Sequence, residues 1–138
     1  MGSEWARATL RVSSATLTTR ELTEHLGREP TKAFERGSSM SPRNPRSARR
    51  EETLWLLESP LPDNASLEAQ LEWAAETAAS MRQQLASLPP GSVDLFVGWA
   101  LPGQQAGFTL SREVLAKLEG VPLEIGFDLY AIGDDEED

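Results

Sequence analysis

The sequence SLEAQLEWAAETAASMRQQLASL, at residues 66–88, contains the strongest structural pattern in the chain. Its apolar positions alternate in spacings of four and three residues, which places them on one side of a helix. These positions are Leu67, Leu71, Ala74, Ala78, Met81, Leu85 and Leu88. The pattern predicts one long central helix, about 33 Å in length, that Pro89-Pro90-Gly91 ends. The apolar stripe is interpreted as core rather than as a coiled-coil seam, because only about three heptads are present.

Four segments outside this helix alternate between apolar and polar residues, as strands with one buried face do. They are predicted at about residues 5–14, 52–59, 93–101 and 122–132. In the last of them, Leu123, Ile125, Phe127 and Leu129 are expected to point inward.

Two short helices lie between these strands. Thr18 and Glu21 form a capping box and Gly27 is a typical C-terminal stop, so a helix is predicted over residues 19–26. A second begins after Ser111 and ends at Gly120. The predicted order is β-α-β-α-β-α-β, which indicates an α+β fold. We expect one mostly antiparallel or mixed sheet of four or more strands, with the long central helix and the two short helices packed on one face.

Residues 28–50 lose this periodicity and are rich in proline, glycine, serine and arginine. They predict a long loop, with a short extended piece near residues 33–38 and a mobile basic part at about residues 38–48. Residues 1–133 are otherwise expected to form a single domain, and the acidic run Asp134, Asp135, Glu136, Glu137 and Asp138 a disordered tail.

The charge is strongly uneven along the chain. Residues 28–50 contain seven basic and two acidic residues, which leaves −14 for the remainder of a chain whose net charge is −9. This balance disfavours nonspecific binding to nucleic acid or to anionic membranes. Two of the thirteen basic residues are lysines, a bias typical of high-GC bacterial genomes. The start of the chain lacks the features of a secretory signal and no apolar run could span a bilayer, so a cytoplasmic location is expected.

The residue types present exclude several kinds of chemistry. The chain has no cysteine, which rules out thiol catalysis, disulfides and cysteine-based metal sites. His25 is the one histidine, and no partner stands at a spacing that would make it a general base. No glycine-rich phosphate loop or calcium loop is present. We therefore assign no catalytic residue, no metal ligand and no cofactor.

Several short segments together resemble a known family. They are Leu26-Gly27 with Pro30-Thr31 and Gly37; Trp55-Leu56-Leu57 with Ser59; Phe108, Leu110, Ser111 and Glu113; and Asp128-Leu129-Tyr130. Their order and spacing, over about residues 7–131, resemble the bacterial domain of unknown function 4279. The resemblance implies the fold boundaries, but that family has no established activity or catalytic residues to carry over.

The first candidate site is the outward face of the sheet. The predicted strand phases place Arg7, Arg11, Asp94, Phe96, Asp128 and Tyr130 on this face. Aromatic rings and arginines on a sheet can bind a small ligand or a protein, or stack nucleic-acid bases, although the net charge opposes the last of these. The alternative is an ordinary solvent face, on which Arg7 and Arg11 pair across strands with Asp94, Glu124 or Asp128.

The second candidate site is the basic loop. Four arginines, Arg43, Arg46, Arg49 and Arg50, fall within eight residues and could clamp phosphate or carboxylate groups. The alternative is a mobile, solvated loop that leans on the acidic remainder of the protein.

These features favour a non-catalytic binding or protein-interaction module. A small acidic domain of this kind could neutralise a protein partner with a basic surface, as toxin-immunity proteins do; this is an analogy. The alternative function is an enzyme that uses carboxylates and arginine on an anionic small molecule. A pocket that contained Asp94, Asp128 and Arg11 together would favour the enzyme. The oligomeric state is left open.

Overall fold

A computed structural model describes residues 4–41, 43–103 and 105–131. The elements are β1 (Trp5–Ser14), α1 (Thr19–Leu26), β2 (Lys32–Phe34), β3 (Thr53–Glu58), α2 (Leu67–Ser80), α3 (Arg82–Ala86), β4 (Val93–Leu101), α4 (Arg112–Leu118) and β5 (Glu124–Ala131). The acidic run at residues 134–138, predicted as a disordered tail, lies outside the described residues.

The strands form one mixed sheet in the order β2-β3-β1-β4-β5. β1 pairs antiparallel with both β3 and β4, and β2 pairs antiparallel with β3. β5 pairs parallel with β4, after a crossover that contains α4. The α+β class and the mixed sheet are therefore confirmed. The element order differs from the predicted one because β2 adds a strand and the long helix is divided.

The core lies between the helices and one face of the sheet, which we call the core face. Along β1, Ala6, Ala8, Leu10 and Val12 are buried there, while the residues between them point to the other side. Trp55 of β3 and Leu95 of β4 lie on the same face. The buried side chains of α1, α2 and α3 join these residues in a single cluster, which places the three helices on one side of the sheet.

The single long helix predicted over residues 66–88 is wrong in one respect. The apolar stripe is buried from Leu67 to Leu85, but the helix is broken at Met81, where φ is −114° and ψ is 20°. The hydroxyl of Ser80 donates to the carbonyl oxygen of Thr77 at 2.6 Å. That oxygen is the usual acceptor for the N–H of Met81, which donates instead to the oxygen of Ala78 at 3.1 Å. A serine that competes for a helical carbonyl in this way favours a bend.

The last strand is also less buried than predicted. Ile125 is half-buried, but Phe127 and Leu129 are 37% and 52% exposed. Both pair in register with buried residues of β4, Val97 and Trp99, so they do lie on the core side. They are exposed because β5 is at the edge of the sheet, beyond the part that the described helices cover fully.

The basic loop after β2 has backbone pairing of its own. The N–H of Gly37 donates to the oxygen of Arg50, and the N–H of Arg50 donates to the oxygen of Ser38, both at 2.9 Å. Further out, the N–H of Met40 donates to the oxygen of Ala48 at 2.9 Å. The described part of the loop is thus a short hairpin-like extension. The mobility expected for residues 38–48 stays a prediction.

Candidate functional site

The side of the sheet opposite the helices, called the open face from here on, collects all six residues predicted for the first site. The register places Arg7 opposite Gly98 and Arg11 opposite Asp94 on neighbouring strands. Asp128 and Tyr130 of β5 follow on the same side, opposite Gly98 and Ala100. The strand phases inferred from the sequence are therefore correct for this face.

Arg11 and Asp94 form a closed ion pair on the open face. Nε and Nη2 of Arg11 donate to the two carboxylate oxygens of Asp94, each at 2.8 Å. The guanidinium carbon also lies 4.6 Å from the centre of the Phe96 ring. The hydrogen bonds that Arg11 donates to Asp94 raise the pKa of Arg11 above its already high value. This pair is one of those predicted across the strands, and it uses both oxygens of Asp94.

Arg7 has a partner that was not predicted. Its Nη2 donates to Oδ2 of Asp63 at 2.7 Å and its Nε to Oδ1 at 3.3 Å, so the expected pairing of Arg7 with Asp94, Glu124 or Asp128 is wrong. Asp63 lies between β3 and α2, and its carbonyl oxygen accepts a 3.0 Å hydrogen bond from the N–H of Ala6. The bond from Arg7 holds the pKa of Asp63 below its ordinary value.

Between these pairs lies a hollow of about 230 Å³, lined by Trp5, Arg7, Thr9, Glu58, Phe96, Gly98 and Tyr130. The rings of Trp5 and Tyr130 have centroids 5.4 Å apart and form one wall. Gly98 forms the floor, and a Cβ atom there would lie 3.2 Å from the Trp5 ring. Four of the lining residues, Trp5, Thr9, Glu58 and Gly98, were not among the predicted site residues. The phase of β1 already placed Trp5 on this face, but nothing in the local sequence indicated that its ring reaches Gly98.

Tyr130 and Asp128 interact with each other at the edge of this face. The phenol hydroxyl of Tyr130 donates to Oδ2 of Asp128. Because this bond favours the protonated phenol, it raises the pKa of Tyr130 above its ordinary value.

Asp94 and Asp128 do not come together. Asp128 is in register with Gly98, four residues beyond Asp94 on β4, which separates the two carboxylates by about 13 Å along the strands. The carboxylate pairs of glycosidases, which are among the most widely spaced, lie about 5–9.5 Å apart. A smaller hollow of about 170 Å³ borders Arg11 and Asp94, and Asp128 lines neither this hollow nor the one beside Trp5.

Two of the four arginines predicted as a site in the basic loop lie beside the same cavity. Arg49 and Arg50 line a cavity of about 520 Å³ together with Glu51 and Glu52, whereas Arg43 and Arg46 are exposed and do not line it. The guanidinium of Arg50 lies 4.2 Å from the centre of the Phe34 ring, and its buried Nε has no hydrogen-bond partner among the described residues. Nη1 of Arg49 donates to the oxygen of Gly37 at 3.3 Å.

His25, the one histidine of the chain, takes part in contacts between helices. Nε2 of His25 lies 3.0 Å from the oxygen of Gln84 and 2.6 Å from Oγ of Ser87, which links α1 to the segment around α3. Within residues 4–41, 43–103 and 105–131, no group of three or more His, Asp or Glu side chains is arranged to hold a metal ion. In the same ranges, no helix is long and apolar enough to cross a membrane.

Comparison with known proteins identifies one family. The model of a family described as a domain of unknown function, DUF4279, matches residues 3–132, which is nearly the whole chain. No curated protein matches, and no solved structure does either.

Proposed function

We propose that this chain, which belongs to the DUF4279 family, is a non-catalytic cytoplasmic module that binds a basic partner protein through the open face of its sheet. The observation that carries the proposal is the composition of this uncovered face. It presents the rings of Trp5, Phe96 and Tyr130 around a hollow. Aromatic side chains are enriched at the centres of protein interfaces.

The charges of the open face support a basic partner. Arg7 and Arg11 each form an ion pair with a carboxylate, and Nζ of Lys32 lies 3.4 Å from Oε2 of Glu58. Glu124 and Asp128 of β5 have no cationic partner among the described residues. The face therefore has an excess of negative charge, as does the whole chain at −9. Such a field speeds association with a positively charged partner and weakens at high salt.

An enzyme acting on an anionic small molecule is the second candidate, and one observation favours it. The cavity beside the basic loop is lined by Arg49 and Arg50, and guanidinium groups bind anions well. The carboxylate part of this mechanism is weaker, because Asp94 is held by Arg11 at 2.8 Å and lies far from Asp128.

A matched pair of charge reversals tests the binding proposal. The test variant carries Glu124→Lys and Asp128→Lys, both on the open face. The control variant carries Glu24→Lys and Glu72→Lys, which lie on α1 and α2, away from this face. Both variants change the net charge by the same amount. Affinity for a synthetic lysine-rich peptide is measured by fluorescence anisotropy at low and moderate salt. We expect the first variant to bind about tenfold more weakly than the control, a difference of about 1.4 kcal/mol.

Two results would contradict the proposal. Equal losses in both variants would mean that the peptide senses only the total charge. Turnover of an anionic substrate that is lost in Arg50→Gln, while the fold is retained, would establish the enzyme instead.

A further inference from the structure

Among the described residues, the outer edge of β5 pairs with no other strand. β5 is the last strand of the sheet and runs for eight residues, Glu124–Ala131. We infer that this edge binds an extended basic segment of the partner protein as an added strand of the sheet. The inference rests on the proposed function, and it specifies where and in what conformation the partner binds.

The two edges of the sheet differ in how they are protected. Proteins usually block a sheet edge with a short strand, a proline or a lysine. The β2 edge has two of these features, since it is three residues long and contains Lys32. β5 has no proline, lysine or arginine along its length. Its outward N–H and C=O groups are therefore open to pairing, the mode by which several peptide-binding domains recognise extended segments.

The side chains around β5 offer apolar contacts to such a segment. Of the six exposed large hydrophobic side chains in the described residues, five lie between residues 110 and 130. Phe127 and Leu129 point to the core side of β5, and Tyr130 points to the open face. Alternate side chains of an added strand would therefore meet apolar groups on both sides. Phe108 supports Phe127 from beneath, with ring centroids 5.2 Å apart.

Charge decides what kind of strand can bind. After Lys117 the chain contains eight acidic residues and no lysine, arginine or histidine, and Glu124 and Asp128 are among the eight. A second copy of the chain on this edge would bring two segments of this kind together, and like charges on neighbouring strands repel. A segment in which lysine or arginine alternates with apolar residues would place its cations beside Glu124 and Asp128. The occupant is therefore a basic strand from a different protein.

The probe for this inference is a synthetic peptide as long as β5 in which valine and lysine alternate, with a valine–glutamate peptide as its control. Amide hydrogen exchange, read by NMR, reports which backbone groups become protected when the peptide is added. We expect protection of β5 amides by the lysine peptide and none by the glutamate peptide. Leu129→Lys should weaken binding about tenfold, because a lysine on an edge strand opposes pairing.

The control variant is Met40→Lys, which adds the same charge at a side chain of similar exposure, 55% against 52% for Leu129, in the loop after β2. We expect it to bind nearly as the parent does. Saturable binding that protects no β5 amide, or equal losses in the two variants, would overturn the edge inference and leave the binding proposal standing. Self-association of the protein that Leu129→Lys abolishes would overturn it in favour of a second copy. Absence of saturable binding to the lysine peptide would overturn both proposals.

Discussion

The two faces of the sheet share the same strands but are held by different forces. Along β1, the core side is filled by small and aliphatic residues that the helices bury, such as Ala8 and Leu10. On the open side lie Arg7 and Arg11, each of which forms an ion pair with a carboxylate at the surface. Burial of apolar area dominates folding energetics, whereas exposed ion pairs contribute little. The core face therefore maintains the fold, and the open face can vary with function.

The largest effect on stability is expected from substitutions on the core face. Leu71→Ala or Leu85→Ala should lower the free energy of unfolding by about 2–5 kcal/mol, because each removes a buried side chain and leaves a cavity. Denaturant titration measures this loss. A loss below about half a kilocalorie per mole, typical of surface substitutions, would mean that the two faces do not differ as described.

A smaller effect is expected from the ion pair on the open face. In a double-mutant cycle, Arg11→Ala and Asp94→Ala should show a coupling of about 0.2–1 kcal/mol, as exposed pairs do, since the two side chains are 40% and 36% exposed. Salt should reduce this coupling further. A coupling above about 3 kcal/mol, which is typical of buried pairs, would show that the open face also maintains the fold.

The effect of the basic loop on stability is also expected to be modest. Deletion of Ser39–Ser47 leaves Ala48 and Arg49 as a two-residue turn between Ser38 and Arg50, which already pair through the backbone. The free energy of unfolding should change by about 1.5 kcal/mol or less, since the closure entropy changes by about 0.6 kcal/mol for each doubling of loop length and the deletion shortens the loop about fivefold. Thermal unfolding measures the change. Backbone order parameters of residues 38–48 as high as those of β1 would contradict the predicted mobility.

The smallest effect concerns a single proton on the open face. The chain contains one tyrosine, so absorbance of the phenolate reports Tyr130 directly. Asp128→Asn should lower the pKa of Tyr130 toward its ordinary value of 10.0, because the carboxylate that stabilises the protonated phenol is lost. Asp94→Asn is the control and should leave this pKa unchanged. An unchanged pKa in the first variant would mean that the hydrogen bond does not form in solution.

The features predicted correctly from the sequence are those that local chemistry specifies. α1 occupies the predicted range because Thr18, Glu21 and Gly27 supply its caps within a few residues. β4 also has the predicted limits, and its alternation assigns each residue to a face. These signals depend on neighbours in the chain, so they can be recognised without the tertiary structure.

The features that the sequence did not predict depend on distant parts of the chain or on how far the helices cover the sheet. Asp63 is 56 residues from Arg7, and only the fold brings the two together. Alternation assigns Phe127 and Leu129 to the core side, but it does not reveal that the described helices leave the edge uncovered. At Met81 the helix breaks next to the Ser80–Thr77 hydrogen bond although the apolar stripe stays buried, and a pattern of apolar positions alone does not reveal such a break.

The parallel pairing of β5 has a consequence for the order of assembly. β1, β2, β3 and β4 are complete once the chain reaches Leu101, and all their pairings are antiparallel. β5 can join only after residues 102–123 have been synthesised and have crossed the sheet, because parallel strands need such a connection. During folding there is therefore an interval in which β1, β2, β3 and β4 have paired and the edge of β4 still has no partner strand, because pairing across a long connection is slow. That interval is when the nascent sheet is most open to pairing with a foreign strand.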